Sequence, residues 1–250
     1  MTGTLAQIFR HPIKAHGREA LASVLLSAGA CLPWDRYWAV AHGRSKFDAG
    51  APEWTPCGHF QRGARTPGLM AIEARFDEAT GEMVLTHPAR PVLEFRPESE
   101  GAALIEWLGP ISPDGDFAPV ALVSAPGRGM TDSDFPSISL NSLSSNAALA
   151  QHMGVDLSIH RWRGNLWLEG FEPFSEMGWI GRELRIGEAL LRVEERIGRC
   201  KATTANPATG EVDADTLAGL RALTGAQDFG VYAVVISPGR IAPGDKIEVL

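Results

Sequence analysis

The chain has 250 residues, 44% of them hydrophobic and 21% charged, a composition that excludes collagen-like, coiled-coil and disordered proteins and leaves room for a sizeable core. Its 27 glycines and 17 prolines favour short strands and frequent turns over long helices. Lysine and arginine number 23 against 30 aspartates and glutamates, a net charge of −7 without a long run of like charge, so a small molecule or a protein is expected as partner rather than nucleic acid or a membrane.

The opening residues 1–10 lack the charged and apolar regions of a secretory signal, and no stretch approaches the about 18 apolar residues of a membrane span, so a cytoplasmic location is expected. Residues 4–10, 37–41, 69–76, 82–86 and 92–96 are short runs rich in β-branched, aromatic or alternating residues, bounded by Gly, Pro or Asp, and predict strands. Asp77-Glu-Ala-Thr-Gly81 reads as a hairpin loop, which implies an antiparallel sheet or barrel. Ala103, Leu104, Trp107 and Leu108 are spaced for a short helix over 100–108, and the breaker Gly109-Pro-Ile-Ser-Pro113-Asp-Gly115 follows it. The chain is therefore divided into residues 1–110 and 111–250.

The second part opens with a strand over 119–125 and a loop over 126–136. Ser144 or Ser145 is expected to cap a helix that runs through His152 and closes at Gly154. Asp213 or Asp215 starts another, with Leu217, Leu220 and Leu223 on one face and Gly225 at its end. Residues 166–169, 184–196, 231–237 and 246–250 read as strands, with turns at Pro238-Gly239 and Pro243-Gly244-Asp245. No tandem repeat is visible. The fold class is mainly β (α+β), with two or three short helices.

Cys31, Cys57 and Cys200 are too few for a disulfide framework or a four-thiolate iron–sulfur cluster, so any such centre would belong to another chain. Cys200 is the most informative of them. It lies in Arg199-Cys200-Lys201, after a strand ending near Ile197-Gly198, and cations beside the sulfur would favour a thiolate able to ligate a soft metal or attack sulfur. In extended chain, however, Arg199 and Lys201 point away from Cys200, and a buried small hydrophobe is the alternative. His11, Lys14, Asp35-Arg36, Ser142, Arg161, Arg163 and Asn165 form a scattered polar set at strand ends that could converge on one phosphate; singly, each is an ordinary surface group. Cys57-Gly-His59 reads as a turn rather than part of a zinc site, and Asp132-Ser-Asp134 as an exposed turn rather than a hard-cation site. Gly127-Arg-Gly129 lacks the rest of a phosphate-loop pattern, and there is no Gly-x-Ser-x-Gly.

In order and spacing, several segments resemble the MOSC family, named for the molybdenum cofactor sulfurase C-terminal domain, in its two-part form with an N-terminal β-barrel region. They are Arg10-His-Pro12-Ile-Lys14, Trp34-Asp35-Arg36-Tyr-Trp38-Ala-Val40, Ser139-Leu-Asn-Ser142-Leu-Ser-Ser145, Arg161-Trp-Arg163-Gly-Asn165-Leu, Trp179-Ile-Gly, Leu184-Arg-Ile-Gly187, Arg199-Cys200-Lys-Ala-Thr203-Thr204-Ala-Asn-Pro207-Ala-Thr-Gly210-Glu, Phe229-Gly230-Val-Tyr232 and Pro238-Gly239-Arg-Ile-Ala-Pro-Gly244-Asp245. The resemblance covers nearly the whole chain and implies a MOSC-type β-barrel with short helices beside an N-terminal β-barrel-like region.

The resemblance further implies a molybdenum cofactor between the two parts, with Cys200 as thiolate ligand to molybdenum. Lys14, Arg36, Ser142, Arg163 and Asn165 would grip the pterin and its phosphate, with Arg199 beside the ligand. By similarity to the amidoxime-reducing branch, the implied reaction is reduction of N-hydroxylated or related N-oxygenated small molecules. Electrons would come from a separate transfer protein, since no ferredoxin-like extension is attached. A sulfur carrier using a Cys200 persulfide, or a non-catalytic cofactor-binding protein, are the alternatives. The family's association with pyridoxal phosphate holds at domain level only. Two departures stand out: Ala15 replaces the Ser that often follows Lys14, and Arg196-Ile-Gly198-Arg199 lacks the additional Cys or Pro common before the ligand.

Overall fold

Apolar residues at every second position of the strands in the later half need a common interior, and a sheet that closes on itself supplies one. The computed structural model describes residues 1–125 and 127–250; Pro126, the first residue of the loop expected over 126–136, lies outside the described residues. In chain order the strands are β1 (Thr2–Arg10), β2 (Glu19–Ala20), β3 (Val24–Leu26), β4 (Trp38–His42), β5 (Glu73–Asp77), β6 (Glu82–His87), β7 (Arg90–Phe95), β8 (Pro119–Ser124), β9 (Ile138–Ser142), β10 (Leu166–Glu169), β11 (Glu183–Ile186), β12 (Ala189–Gly198), β13 (Asp228–Ser237), β14 (Gly239–Ile241) and β15 (Lys246–Val249). The helices are α1 (Gly101–Leu108), α2 (Leu143–Met153) and α3 (Thr216–Thr224).

Strands β10, β9, β13, β12, β11, β15 and β1 pair in that order, and the β1–β10 pairing, with Leu5 opposite Leu168, closes them into a barrel. Only the β9–β10 pair is parallel among these staves. Leu5, Ile8, Leu140, Leu166, Leu184, Leu191, Val231, Ala233 and Ile247 fill its interior. A second lobe is built from the hairpin β5–β6–β7, the β4–β8 pair and α1, around Trp38, Phe76, Met83, Phe95, Leu104 and Trp107. Trp34 stacks on Trp38 with ring centroids 5.7 Å apart.

Spatial grouping moves strands both ways across residue 110: β1, with β2 beside it, and β3, paired with β14, join the barrel side. The first strand, β1, is a barrel stave, whereas β8 pairs with β4 in the lobe, Val40 opposite Leu122. The cause is the exit of β1. Past Arg10 the chain runs straight along β4, where Lys14 N donates to Trp38 O at 2.8 Å and Trp38 N to Pro12 O at 3.1 Å. That run leaves Lys14 at the junction of barrel and lobe.

Several expected elements differ in detail. The strand expected over 69–76 begins as a tight turn, Pro67–Ala71, and becomes extended only at β5, because Pro67 presets the turn. The run 184–196 is a hairpin, β11–β12, reversing at Gly187, whose φ is +51° and where a Cβ would come within 2.4 Å of Asp245 Oδ2. Helix α2 starts at Leu143 without a side-chain cap, since the Ser145 hydroxyl donates instead to the buried Glu176 carboxylate at 2.8 Å. Asp215 does cap α3, accepting from Ala218 N at 3.0 Å, but the buried face is Thr216, Gly219 and Leu220 while Leu223 is exposed. Strand β9 had no sequence signal: Ser139, Asn141 and Ser142 are polar yet buried, with Ser139 Oγ bonded to Asn165, Asn141 Oδ1 to Arg199 and Ser142 Oγ to Ser144. Among the described residues no helix is long and apolar enough to cross a membrane.

Gly230 marks a close approach of two staves, β13 and β9. Its φ is +76°, and a Cβ there would lie 2.6 Å from Leu140 O and 2.4 Å from Asn141 Oδ1. Gly230→Ala should therefore cost about 2–4 kcal/mol of stability, read by urea denaturation; a loss under about 0.5 kcal/mol would mean that β9 can retreat from β13.

Candidate functional site

The alternation that sends Val231 and Ala233 into the barrel sends Tyr232 out, and on β9 it sends Ser139 and Asn141 to the same outer face. The lobe covers this face. Between the two lies a cavity of about 290 Å³, walled on the lobe side by Lys14, Ala15, Arg36, Cys57, Gln61, Arg62 and Met70, and on the barrel side by Asp132, Ser139, Arg163, Arg199, Cys200 and Tyr232. Contact across it is intimate. A Cβ on Gly63 would stand 2.8 Å from Met70 Sδ and 3.3 Å from Ala202 Cβ, so the lobe segment carrying Arg62 packs on the turn that follows Cys200.

Asp35 organises the basic wall. Its carboxylate accepts from His11 N at 2.8 Å and pairs with the Arg36 guanidinium. Burial alone would push this carboxyl up; Arg36, helped by His11, reverses that and holds it well below the usual carboxylate range. Arg36 also donates to Arg163 O at 2.7 Å and to Asn165 Oδ1 at 3.3 Å. Asn165 in turn accepts from Ser139 Oγ at 2.9 Å and donates to Phe9 O at 3.1 Å. Arg163 donates to carbonyls, Gly17 O at 3.0 Å and Ile13 O and His16 O at 3.4 Å. Burial and the nearby Arg36 bring its guanidinium down to about 9, which leaves it charged at neutral pH.

Lys14 Nζ donates to Met130 O at 2.7 Å and pairs with Asp132, whose side chain remains 62% exposed within the cleft. Burial works against charge on Asp132, and Lys14, with Arg36 and Arg163, outweighs it and lowers the carboxyl. Ala15, Trp34, Arg36 and Arg163 hold φ of +64°, +62°, +50° and +48°. Such backbone costs roughly 1 kcal/mol or more per residue, so its concentration around one cleft reflects a geometry imposed by the surrounding hydrogen bonds.

Cys200 is extended, with φ −114° and ψ 176°, and its residue is exposed at the cavity as a free thiol. Its carbonyl accepts from Thr203 N at 3.2 Å and Thr203 Oγ1 at 3.1 Å, which fixes the turn after it. As extended alternation requires, Arg199 turns the other way, donating to Phe229 O at 2.7 Å, Trp162 O at 2.8 Å and Asn141 Oδ1 at 2.7 Å. It still lines the cavity. Burial takes its guanidinium down to about 10, against the opposing pull of Tyr232 and Cys200.

The structure thus brings Lys14, Arg36, Arg163, Arg199 and Cys200 to one cavity. Asn165 stands behind it, bonded to Arg36. Ser142 does not reach it: fully buried at the start of α2, its hydroxyl bonds Ser144 Oγ at 2.8 Å, because the strand alternation that turns Ser139 and Asn141 to the cleft turns Ser142 from it. Sequence reading missed Gln61, Arg62, Met70 and Tyr232; Asp132 is exposed as expected, but its place at the cavity beside Lys14 was not foreseen. Only the Tyr232 alternation on β13 offered a signal; the others depend on where the lobe loops land.

Two family models match, the MOSC N-terminal beta barrel domain over residues 2–107 and the MOSC domain over residues 130–248. Molybdenum cofactor sulfurase of Drosophila grimshawi is 34% identical over 102 residues, which is 38% of this chain and 13% of that protein. Its counterpart in Drosophila mojavensis is 33% identical over 79 residues, 31% of this chain and 10% of that protein, so the matched stretch is a small part of each relative's length. The crystal structure of the YuaD protein of Bacillus subtilis superposes with a TM-score of 0.51 at 16% identity, covering 100% of this chain and 96% of that one.

His16 supports the cleft from behind and gives it a pH signature. Fully buried, it bonds Lys14 O through Nδ1 at 2.6 Å, and burial, with Arg163 adding to it, lowers the imidazole to about 4. In the unfolded chain it titrates near 6.5, so unfolding binds a proton between these values; the stability it contributes is complete above about pH 6.5 and is lost as pH falls toward 4. Denaturation between about pH 7 and 5 should show wild-type stability declining more steeply than that of His16→Gln. Parallel declines would assign the proton uptake to other groups.

Proposed function

We propose that this chain, which belongs to the MOSC family in its two-domain form, holds a molybdenum cofactor in the cleft between barrel and lobe and reduces N-hydroxylated or related N-oxygenated small molecules with electrons from a separate partner protein. One observation carries this reading: a free, exposed thiol shares a cavity with several basic side chains inside an otherwise acidic protein. The chemistry of the donor set fits the cofactor. Molybdenum takes a soft thiolate, which Cys200 can supply, and a dianionic phosphate takes fixed cations, for which Lys14, Arg36 and Arg163 are positioned. Ser142 is left out of this set, and Ala15 can contribute only its backbone. When bound, the cofactor supplies two-electron exchange at an oxygen of the substrate.

The protein's own residues would orient and protonate. Burial, with the Asp132 charge adding to it, pushes the Tyr232 phenol up to about 12, so it stays protonated and can offer its O–H to a substrate oxygen. Overall, an N-hydroxylated group, two electrons and two protons give the reduced nitrogen compound and water. The free thiols suit a reducing, cytoplasmic setting. Protein made in a host that synthesises the cofactor should carry close to one molybdenum per chain by metal analysis, with less than about a tenth of that in Cys200→Ala. Absence of molybdenum from wild-type protein would remove the basis of the reading.

A sulfur-transfer role is favoured by a different observation, the exposure of Cys200 together with the names of the curated relatives. Mass spectrometry after incubation with a cysteine desulfurase should then find Cys200 heavier by one sulfur atom; an unmodified Cys200 counts against it.

A further inference from the structure

The cations around the cavity are not equally committed. Arg36 is paired with Asp35, Lys14 with Asp132, and Arg161 with Asp213 at 2.6 Å. Among the described residues Arg163 and Arg199 pair with no carboxylate, but carbonyls and the Asn141 amide hold their N–H groups in place. Arg62 has neither kind of partner among the described residues. Its side chain is half-buried at the cavity wall, its recorded contact is Nη1 at 4.0 Å from Cys57 Sγ, and among the described residues it forms no ion pair. A sulfur at that distance leaves the planar fork of the guanidinium with donors to spare.

The backbone of Arg62 is nevertheless fixed. Its carbonyl accepts from Arg65 N at 3.0 Å and Thr66 N at 2.9 Å, while Gly63 packs against Met70 and Ala202. The base of the Arg62 side chain is therefore fixed on the lobe side of the cavity, beside the turn that follows Cys200, and its guanidinium keeps donors to offer a ligand. Met70, Ala64, Ile197 and Ala202 supply an apolar wall on the same stretch. A cation, an apolar slot and an exposed thiol that would hold the reacting centre together suit a substrate with an anionic group at one end and its reacting group at the other.

Building on the functional reading above, we infer that Arg62 is a specificity-determining residue that selects anionic substrates, with a carboxylate seated bidentately on its guanidinium and the apolar body of the molecule along Met70. The cavity then discriminates by charge as well as by chemistry, and neutral N-hydroxylated compounds are its poorer substrates.

The first test needs no cofactor. Cys200 in cofactor-free protein is alkylated by iodoacetate, an anion, and by iodoacetamide, its neutral analogue, and the rate ratio at the Cys200 peptide is read by mass spectrometry. The ratio should fall about threefold in Arg62→Ala, return in Arg62→Lys, and decline with salt in wild type. A ratio that is the same in Arg62→Ala and wild type, or that is insensitive to salt, overturns the assignment. In molybdenum-loaded protein, the preference in kcat/KM for 4-carboxybenzamidoxime over benzamidoxime should drop about tenfold in Arg62→Ala. A retained preference also overturns it. Wild-type protein that carries no molybdenum but shows the expected alkylation ratios would instead sink the functional reading and leave the anion selectivity standing.

Discussion

A carboxylate with no access to water, Asp35, is the joint on which the two halves of this protein meet. It ties the exit of β1, through His11 N, to Arg36, and Arg36 reaches across to the barrel through Arg163 O and Asn165. Coulomb attraction in a buried site is strong, but so is the penalty for removing both charges from water, and the net gain of such a pair is small. Its value here is geometric. Loss of one partner would strand the other charge in the interior at a cost of about 3–5 kcal/mol, so the pair tolerates essentially one arrangement of lobe against barrel. Arg36 and Arg163 accept left-handed backbone because that arrangement demands it.

The same economy of positions explains how an acidic protein carries a basic cleft. Its surplus of carboxylates lies elsewhere on the surface, and within the cleft Asp132 is the acidic side chain among Lys14, Arg36, Arg62, Arg163 and Arg199. Hydrogen bonds to carbonyls satisfy the donors of Arg163 and Arg199 without neutralising them, which leaves their field directed into the hollow. Cys200 sits in that field because extended alternation at the end of β12 turns Arg199 inward and the thiol outward, and the turn capped by Thr203 then carries the chain away.

Helix ends were legible where one residue acts on its own backbone. Asp215 caps α3 and Gly154 and Gly225 close α2 and α3, as local hydrogen bonding and positive φ dictate. The α2 start was misread because Ser145 is recruited by Glu176, a partner 31 residues away that no local rule anticipates. β9 was invisible for a related reason: Ser139 and Asn141 look like turn residues until the fold supplies Asn165 and Arg199 as partners.

By itself the sequence determined the β-rich class, most of the strands, the family and the identity of the lone informative thiol, because alternation, turn chemistry and ordered motifs act over short stretches of chain. Tertiary structure alone decided that β1 closes the barrel while β8 joins the lobe, that Ser142 faces away from the cleft, and that Arg62 and Tyr232 face it. Those outcomes depend on how two packed bodies meet, and contact between residues more than a hundred positions apart leaves no periodic trace in the order of amino acids.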